Sequence, residues 1–493
     1  MSLKHVAGIG ATTALALTLA APPAGAFCGF FVSGADSKLY NNASQVVLMR
    51  KDNRTVMTLS NTYQGPPSDF AMVVPVPVVL SEKHVKTLPA DVFEHIDQLS
   101  APRLVEYWEQ DPCYIPPPMA MPMAMAPGGM ARAEDDGMVE KKRDYGVKIE
   151  ARFTAGEYQV LILSAKQATG LEDWLKDNHY RIPDGASAAL APYVASGMKF
   201  FVAKVDITKV KRDAHGNVAL SPLRFDYEAN DLRVPVRLGL LNANGKQDLI
   251  IYVLNPESRF ESSNYKNVFV PTNLEVVNEV RSGFGSFYAQ LFDETLAANG
   301  NRAVVTEYAW QTTSCDPCPV PPLQPADLYT LGLDVIEGGP APTSDGQPVG
   351  PRGGTPGGYY GAASPWVLTR LHTRYDKATL SEDITLVAAK PVVGGRSQWD
   401  GQPIEGPGEV HTDSVNNFQG RYIIRHYWEG AVNCPNPQYG RWGGPPNGGN
   451  GLQMATDLAN APRGNIVLKT AVRSNLPQLG LPGVPAPKRA GEK

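Results

Sequence analysis

Gln45-Val-Val-Leu-Met-Arg-Lys-Asp-Asn-Arg-Thr-Val-Met-Thr-Leu-Ser60 sets the fold class. Residues 45–50 and 54–60 are rich in Val, Leu, Met and Thr and read as strands. Lys51-Asp52-Asn53 joins them, and Asp and Asn favour turns because their side chains bond nearby backbone and tolerate positive φ. After the turn residues Gln64-Gly65-Pro66-Pro67, residues 70–77 read as a third strand. Residues 88–99 then place Leu88, Val92, His95 or Ile96, and Leu99 at helical spacing, and 103–109 return to a strand. Strands that recur around isolated helices predict a strand-rich α+β fold.

The pattern continues outward. Residues 147–154 and 158–164 read as a strand pair, 171–178 and 186–195 as short helices, and 199–207 and 223–227 as strands. A hairpin is expected between 234–242 and 248–254, around Asn244-Gly245, a strong turn signal. A helix over 286–298 and a strand over 303–311 follow. Two echoes suggest an internal repeat. Arg103 to Cys113 and Arg302 to Cys318 each follow a helix and lead to Asp-Pro-Cys, and residues 198–206 resemble 365–373. The expected organisation is two related α+β halves, 27–219 and 220–393, and an irregular Gly/Pro-rich tail, 394–493. Inserts at 115–144 (Met/Pro-rich) and 337–363 (Gly/Pro-rich) interrupt the halves, since such composition cannot bury a core.

Residues 1–26 read as a cleavable signal peptide. Lys4 and His5 precede an uncharged run over 6–21, and Ala24 and Ala26 supply the small residues that a signal peptidase accommodates. Pro22-Pro23 closes that run short of the roughly twenty apolar residues of a membrane anchor. Cleavage after Ala26 exposes Phe27-Cys28. Lipid attachment at Cys28 is the competing expectation, disfavoured because Phe27 stands where a small residue is needed. No later segment is long and apolar enough to span a bilayer, so a secreted or periplasmic protein is expected. A net charge of −4 without a long basic run argues against nucleic acid.

In an oxidising compartment Cys28, Cys113, Cys315, Cys318 and Cys434 are disulfide candidates, with up to two bonds and one thiol left over. Their connectivity stays open. Cys28-Gly-Phe-Phe31, the 45–50 strand, Tyr63-Gln-Gly-Pro66, Asp69-Phe-Ala-Met-Val-Val-Pro-Val-Pro77, Cys315-Asp-Pro-Cys318 and Trp366-Val-Leu-Thr-Arg-Leu-His372 run through most of the chain. Together they resemble the exported bacterial family catalogued as domain of unknown function 2330. The resemblance implies export from a bacterium and supplies no activity or catalytic residue.

Chemistry must therefore come from the residues. A redox Cys-x-x-Cys works when a helix N-terminus lowers the first thiol's pKa. Cys315-Asp-Pro-Cys318 lies among prolines with no helix at once, which favours a structural disulfide, within the motif or to Cys113 or Cys434. Met119, Met121, Met123, Met125 and Met130, with Met138, hold half of the twelve methionines. Thioethers are soft ligands suited to Cu(I), although Cys113 is the only other soft ligand nearby. No His-Glu-x-x-His, Gly-x-Ser-x-Gly, phosphate loop or calcium loop is present. Glu382-Asp383 reads as solvated loop charge. Tail aromatics Trp399, Tyr422, Tyr427, Trp428, Tyr439 and Trp442 suit a core edge or a carbohydrate or peptide groove. The expected function is a non-enzymatic binding or structural module with an envelope or extracellular partner and no cofactor. The alternatives are copper handling by the Met-rich insert and thiol-disulfide redox at Cys315 and Cys318.

Overall fold

In the computed structural model, strands Ala43–Lys51 and Arg54–Ser60 pair antiparallel around a turn in which Asp52 takes φ 52°. The structure describes residues 30–32, 43–60, 71–113, 145–338 and 365–489. Short gaps fall at 181, 184, 207, 213–217, 243–244, 399–400, 446–451, 455–460, 465 and 488. The signal segment, Cys28, the methionines of 115–144 and nearly all of 337–363 lie outside the described residues.

The pair sits in an eleven-stranded mixed sheet. From one edge its order is His411–Thr412, Val392–Gly394, Asn417–Gln419, Ala303–Gln311, Val367–Tyr375, Gln247–Asn255, Ala43–Lys51, Arg54–Ser60, Leu223–Glu228 and Val85–Thr87. Lys266–Phe269 adds to Ala303–Gln311 in parallel. Gln247–Asn255 holds the middle because Leu249-Ile-Ile-Tyr-Val-Leu254 is apolar on both faces, and all six of these side chains are buried.

That strand corrects the expected hairpin. It lies parallel to Ala43–Lys51 and antiparallel to Val367–Tyr375, while Leu232–Val234 pairs with Ile384–Ala389 and Gly239–Asn242 forms a 3-10 turn. Burial of both faces needs two long neighbours, and distant segments supply them.

Phe30–Val32, Ala71–Val76, Lys199–Val205, Tyr158–Ala165 and Val147–Ala155 form a second, five-stranded sheet. One face packs on the central sheet, with Met72, Val74, Ile162 and Phe201 against Leu48, Met57, Phe225 and Ile251. Helices Ala168–Asp177 and Ala186–Ala195 cover the other through Leu171, Trp174 and Leu190. On the far face of the central sheet lie Asp91–Ser100 and Phe284–Ala297. The layers therefore run helices, sheet, sheet, helices, an α+β arrangement rich in strands.

The internal repeat is not confirmed. Lys199–Val205 sits in the five-stranded sheet, whereas its echo Val367–Tyr375 lies deep in the central one, which draws strands from both sides of residue 220. The tail carries strand Arg421–His426, which runs parallel to Arg103–Glu109 and Leu274–Val276 in a further sheet.

Candidate functional site

At one end of the two packed sheets a cleft of about 690 Å³ opens, within the range typical of small-molecule sites. Met57, Phe225 and Tyr227 of the central sheet contribute apolar walls, and Tyr193 and Asp383 lie among its polar groups. The register Val234↔Ile384 sets Asp383, just ahead of its strand, beside the chain leaving Leu232–Val234. Its Oδ1 accepts the Tyr193 hydroxyl at 2.6 Å and the backbone N–H groups of Val236 at 3.1 Å and Arg237 at 3.4 Å. Asn264 Nδ2 donates to the Asp383 carbonyl at 2.8 Å, and the Tyr265 hydroxyl donates to that of Glu382 at 2.8 Å. The carboxylate is thus held from two segments and its backbone from a third.

Burial pushes the Asp383 carboxyl above the usual carboxylate range, opposed by the Tyr193 bond and by Arg237. The expectation of a solvated Glu382-Asp383 pair holds for exposed Glu382 and fails for half-buried Asp383. Sequence reading missed it because the groups that desolvate it lie about 120 to 190 positions away. An acid held beside a phenol over an apolar floor can accept or share a proton with a ligand's donor.

The cysteines stand elsewhere. The Cys113 and Cys434 sulfurs are 2.19 Å apart and those of Cys315 and Cys318 1.98 Å, both compatible with disulfides. No helix starts at Cys315; the next is Pro325–Leu328. Cys318 is exposed, and Arg103 Nη1 donates to the Pro317 carbonyl at 2.6 Å. Among the described residues no group of three or more His, Cys, Asp or Glu is placed to hold a metal ion. The methionines of the copper alternative lie outside those residues.

A second polar feature is buried outright. Arg370 and His372 point from Val367–Tyr375 toward the helices. Arg370 Nε donates to Glu307 Oε2 at 2.6 Å and Nη1 to Asp97 Oδ1 at 2.5 Å. His372 meets Glu307 Oε1 at 2.7 Å through Nδ1 and Asp248 Oδ1 at 3.0 Å through Nε2. Phe292 stacks on the imidazole at 3.9 Å, and the Tyr288 hydroxyl donates to Glu307 at 2.6 Å. Burial pushes the imidazole down, but the Glu307 charge and the bonds to Asp248 and Glu307 outweigh it and raise it to about 9. Burial likewise pushes the Glu307 carboxyl up, and His372 and Arg370 overcome this and hold it at about 2. With every member inside the core, this chain of charges ties two helices to three strands; a ligand has no path to it in the cleft just described.

Residues 22–387 match the model of DUF2330, an uncharacterized protein conserved in bacteria. The chain belongs to DUF2330. All residues lining the Asp383 cleft fall inside the DUF2330 match, as do Arg370 and His372 of the Trp366–His372 motif. The whole tail, 394–493, falls outside it. No curated protein and no solved structure matches the chain.

Proposed function

We propose that this DUF2330 protein is an exported binding module of the cell envelope that takes a small ligand in the Asp383 cleft. The observation that carries this reading is the half-buried Asp383 carboxyl, raised by burial and clamped by Tyr193 beside the apolar walls of Met57, Phe225 and Tyr227. A few convergent polar groups over apolar walls are the usual makeup of a ligand site. Export is supported by the 1–26 segment and by two cysteine pairs compatible with disulfides.

A thermal-shift screen of small metabolites against the purified protein tests the reading. Ligands of the cleft stabilise by mass action, and their shifts are expected to vanish in Asp383→Ala and shrink in Tyr193→Phe. Shifts that survive Asp383→Ala unchanged overturn the site. The export component is checked by N-terminal sequencing of protein recovered from the producing cells, with Phe27 expected first; a lipid mass on Cys28 shifts the assignment to a tethered protein.

A second reading draws on exposed Cys318 and its pairing within the motif. If Cys315 and Cys318 exchange disulfides with a partner dithiol, their equilibrium with glutathione should lie near −200 mV, whereas a structural bond lies below about −300 mV.

A further inference from the structure

A second cleft, of about 590 Å³, shares no residue with the first and is built largely by the tail. Leu274–Val276, Arg421–His426 and Arg103–Glu109 run parallel, so their carboxyl ends open on one side. Register pairs His426 with Trp108, and their rings stack at 4.5 Å and 14°. Tyr427 and Trp428 follow at once and, with Trp108 and His426, are half-buried rather than sealed in the core. Trp428 folds over Gly430, where a Cβ would stand 2.6 Å from the indole. The Cys113–Cys434 pair joins the end of the Arg103 strand to the same loop.

Three guanidinium groups line this cleft. Arg425 lies 4.4 Å over the Trp442 ring, and Arg489 lies 5.2 Å over Tyr427 while its Nε donates to both Glu109 oxygens at 3.0 and 3.1 Å. Glu109 is fully used, since it also accepts the backbone N–H groups of Trp428 and Gly440. Arg425 and Arg473 share a single carboxylate, Glu275, at 3.6 and 3.7 Å, and Glu275 also accepts the Tyr427 hydroxyl. Glu429 stands exposed on the rim, and His426 bonds Glu106. Two cations with one distant carboxylate between them leave about one positive charge to be matched. That suits a carboxylate better than a phosphate monoester, which carries roughly −1.5 to −2. Aromatic faces that stay wet along one edge are suited to the C–H face of a sugar ring, and side chains already pinned lose little freedom on binding.

We infer that this cleft binds an acidic carbohydrate, with a sugar ring on the Trp108–Trp428 wall and its carboxylate met by Arg425 and Arg473. The full-length protein is titrated with trigalacturonate, a glucuronate-containing trisaccharide and neutral maltotriose, with indole fluorescence as the readout. At least one acidic sugar should bind at least about tenfold more tightly than maltotriose, and Arg473→Ala should weaken it about tenfold. Trp108→Phe should remove most of the fluorescence change. Unaltered circular dichroism and melting temperature show that each variant folds; if Arg473→Ala does not, Arg473→Lys replaces it, because an ammonium cannot form the planar fork. Asp383→Ala should leave sugar binding unchanged, which separates this cleft from the first. The inference is overturned if neither acidic sugar saturates, if maltotriose binds equally, or if acetate competes at the same concentration as the acidic sugar.

Discussion

Glu307, with its side chain fully buried, joins Arg370 and His372 in the core. Removing one partner of a buried pair strands the other, so Glu307→Gln is expected to cost about 3–5 kcal/mol by urea denaturation. The same pair sets a pH window. The folded His372 value of about 9 lies above the ordinary 6.5, so its stabilisation is complete below about pH 6.5 and lost as pH rises through 9. Glu307, at about 2 against the ordinary 4.5, contributes fully above pH 4.5 and loses its contribution as pH falls through 2. Urea midpoints measured from pH 3 to 10 should show this contribution greatest between about 4.5 and 6.5, and His372→Phe should flatten the alkaline limb. A wild-type midpoint flat from pH 6.5 to 9 contradicts the ion-pair account. His372 is visible in the Trp366–His372 motif, but its partners, 65 and 124 positions away, are not.

Local patterns placed several elements well. Residues 186–195 and 303–311 form the helix and strand that their spacing predicts. The helix expected from Leu88 begins instead at Asp91, because Pro89 disfavours helical backbone in the residue before it, and the Leu88 N–H bonds the Pro222 carbonyl at 2.9 Å. The hairpin at Asn244-Gly245 fails for a different reason, since a turn signal yields when tertiary pairing buries both faces of a strand. Segment Tyr329–Leu333 shows how tightly one element seats on another. Gly332 has φ +139°, and a Cβ there would lie 2.7 Å from Val56. Asp334 pins the segment, accepting Lys86 Nζ at 2.9 Å and Arg224 Nη2 at 2.8 Å. Gly332→Ala should therefore lose about 1–3 kcal/mol from backbone strain alone, read as a lowered urea midpoint.

Across the whole molecule, Cys113 and Cys434 link positions 321 apart, so a bond between them restrains a long stretch of the unfolded chain. Replacing both with Ser should lower stability by about 2–5 kcal/mol in non-reducing buffer, and reductant should have little further effect at that site. The sequence by itself determined the strand-rich α+β class, most of the helices, the export segment as an expectation and the cysteines available for pairing. Those properties follow from short-range periodicity, turn chemistry and composition. Only the tertiary structure decided which strands are neighbours and that Asp383 is desolvated. It alone brought Trp108 beside His426 across 318 residues. Burial and charge pairing are set by distance in space, and chain order does not encode that distance locally.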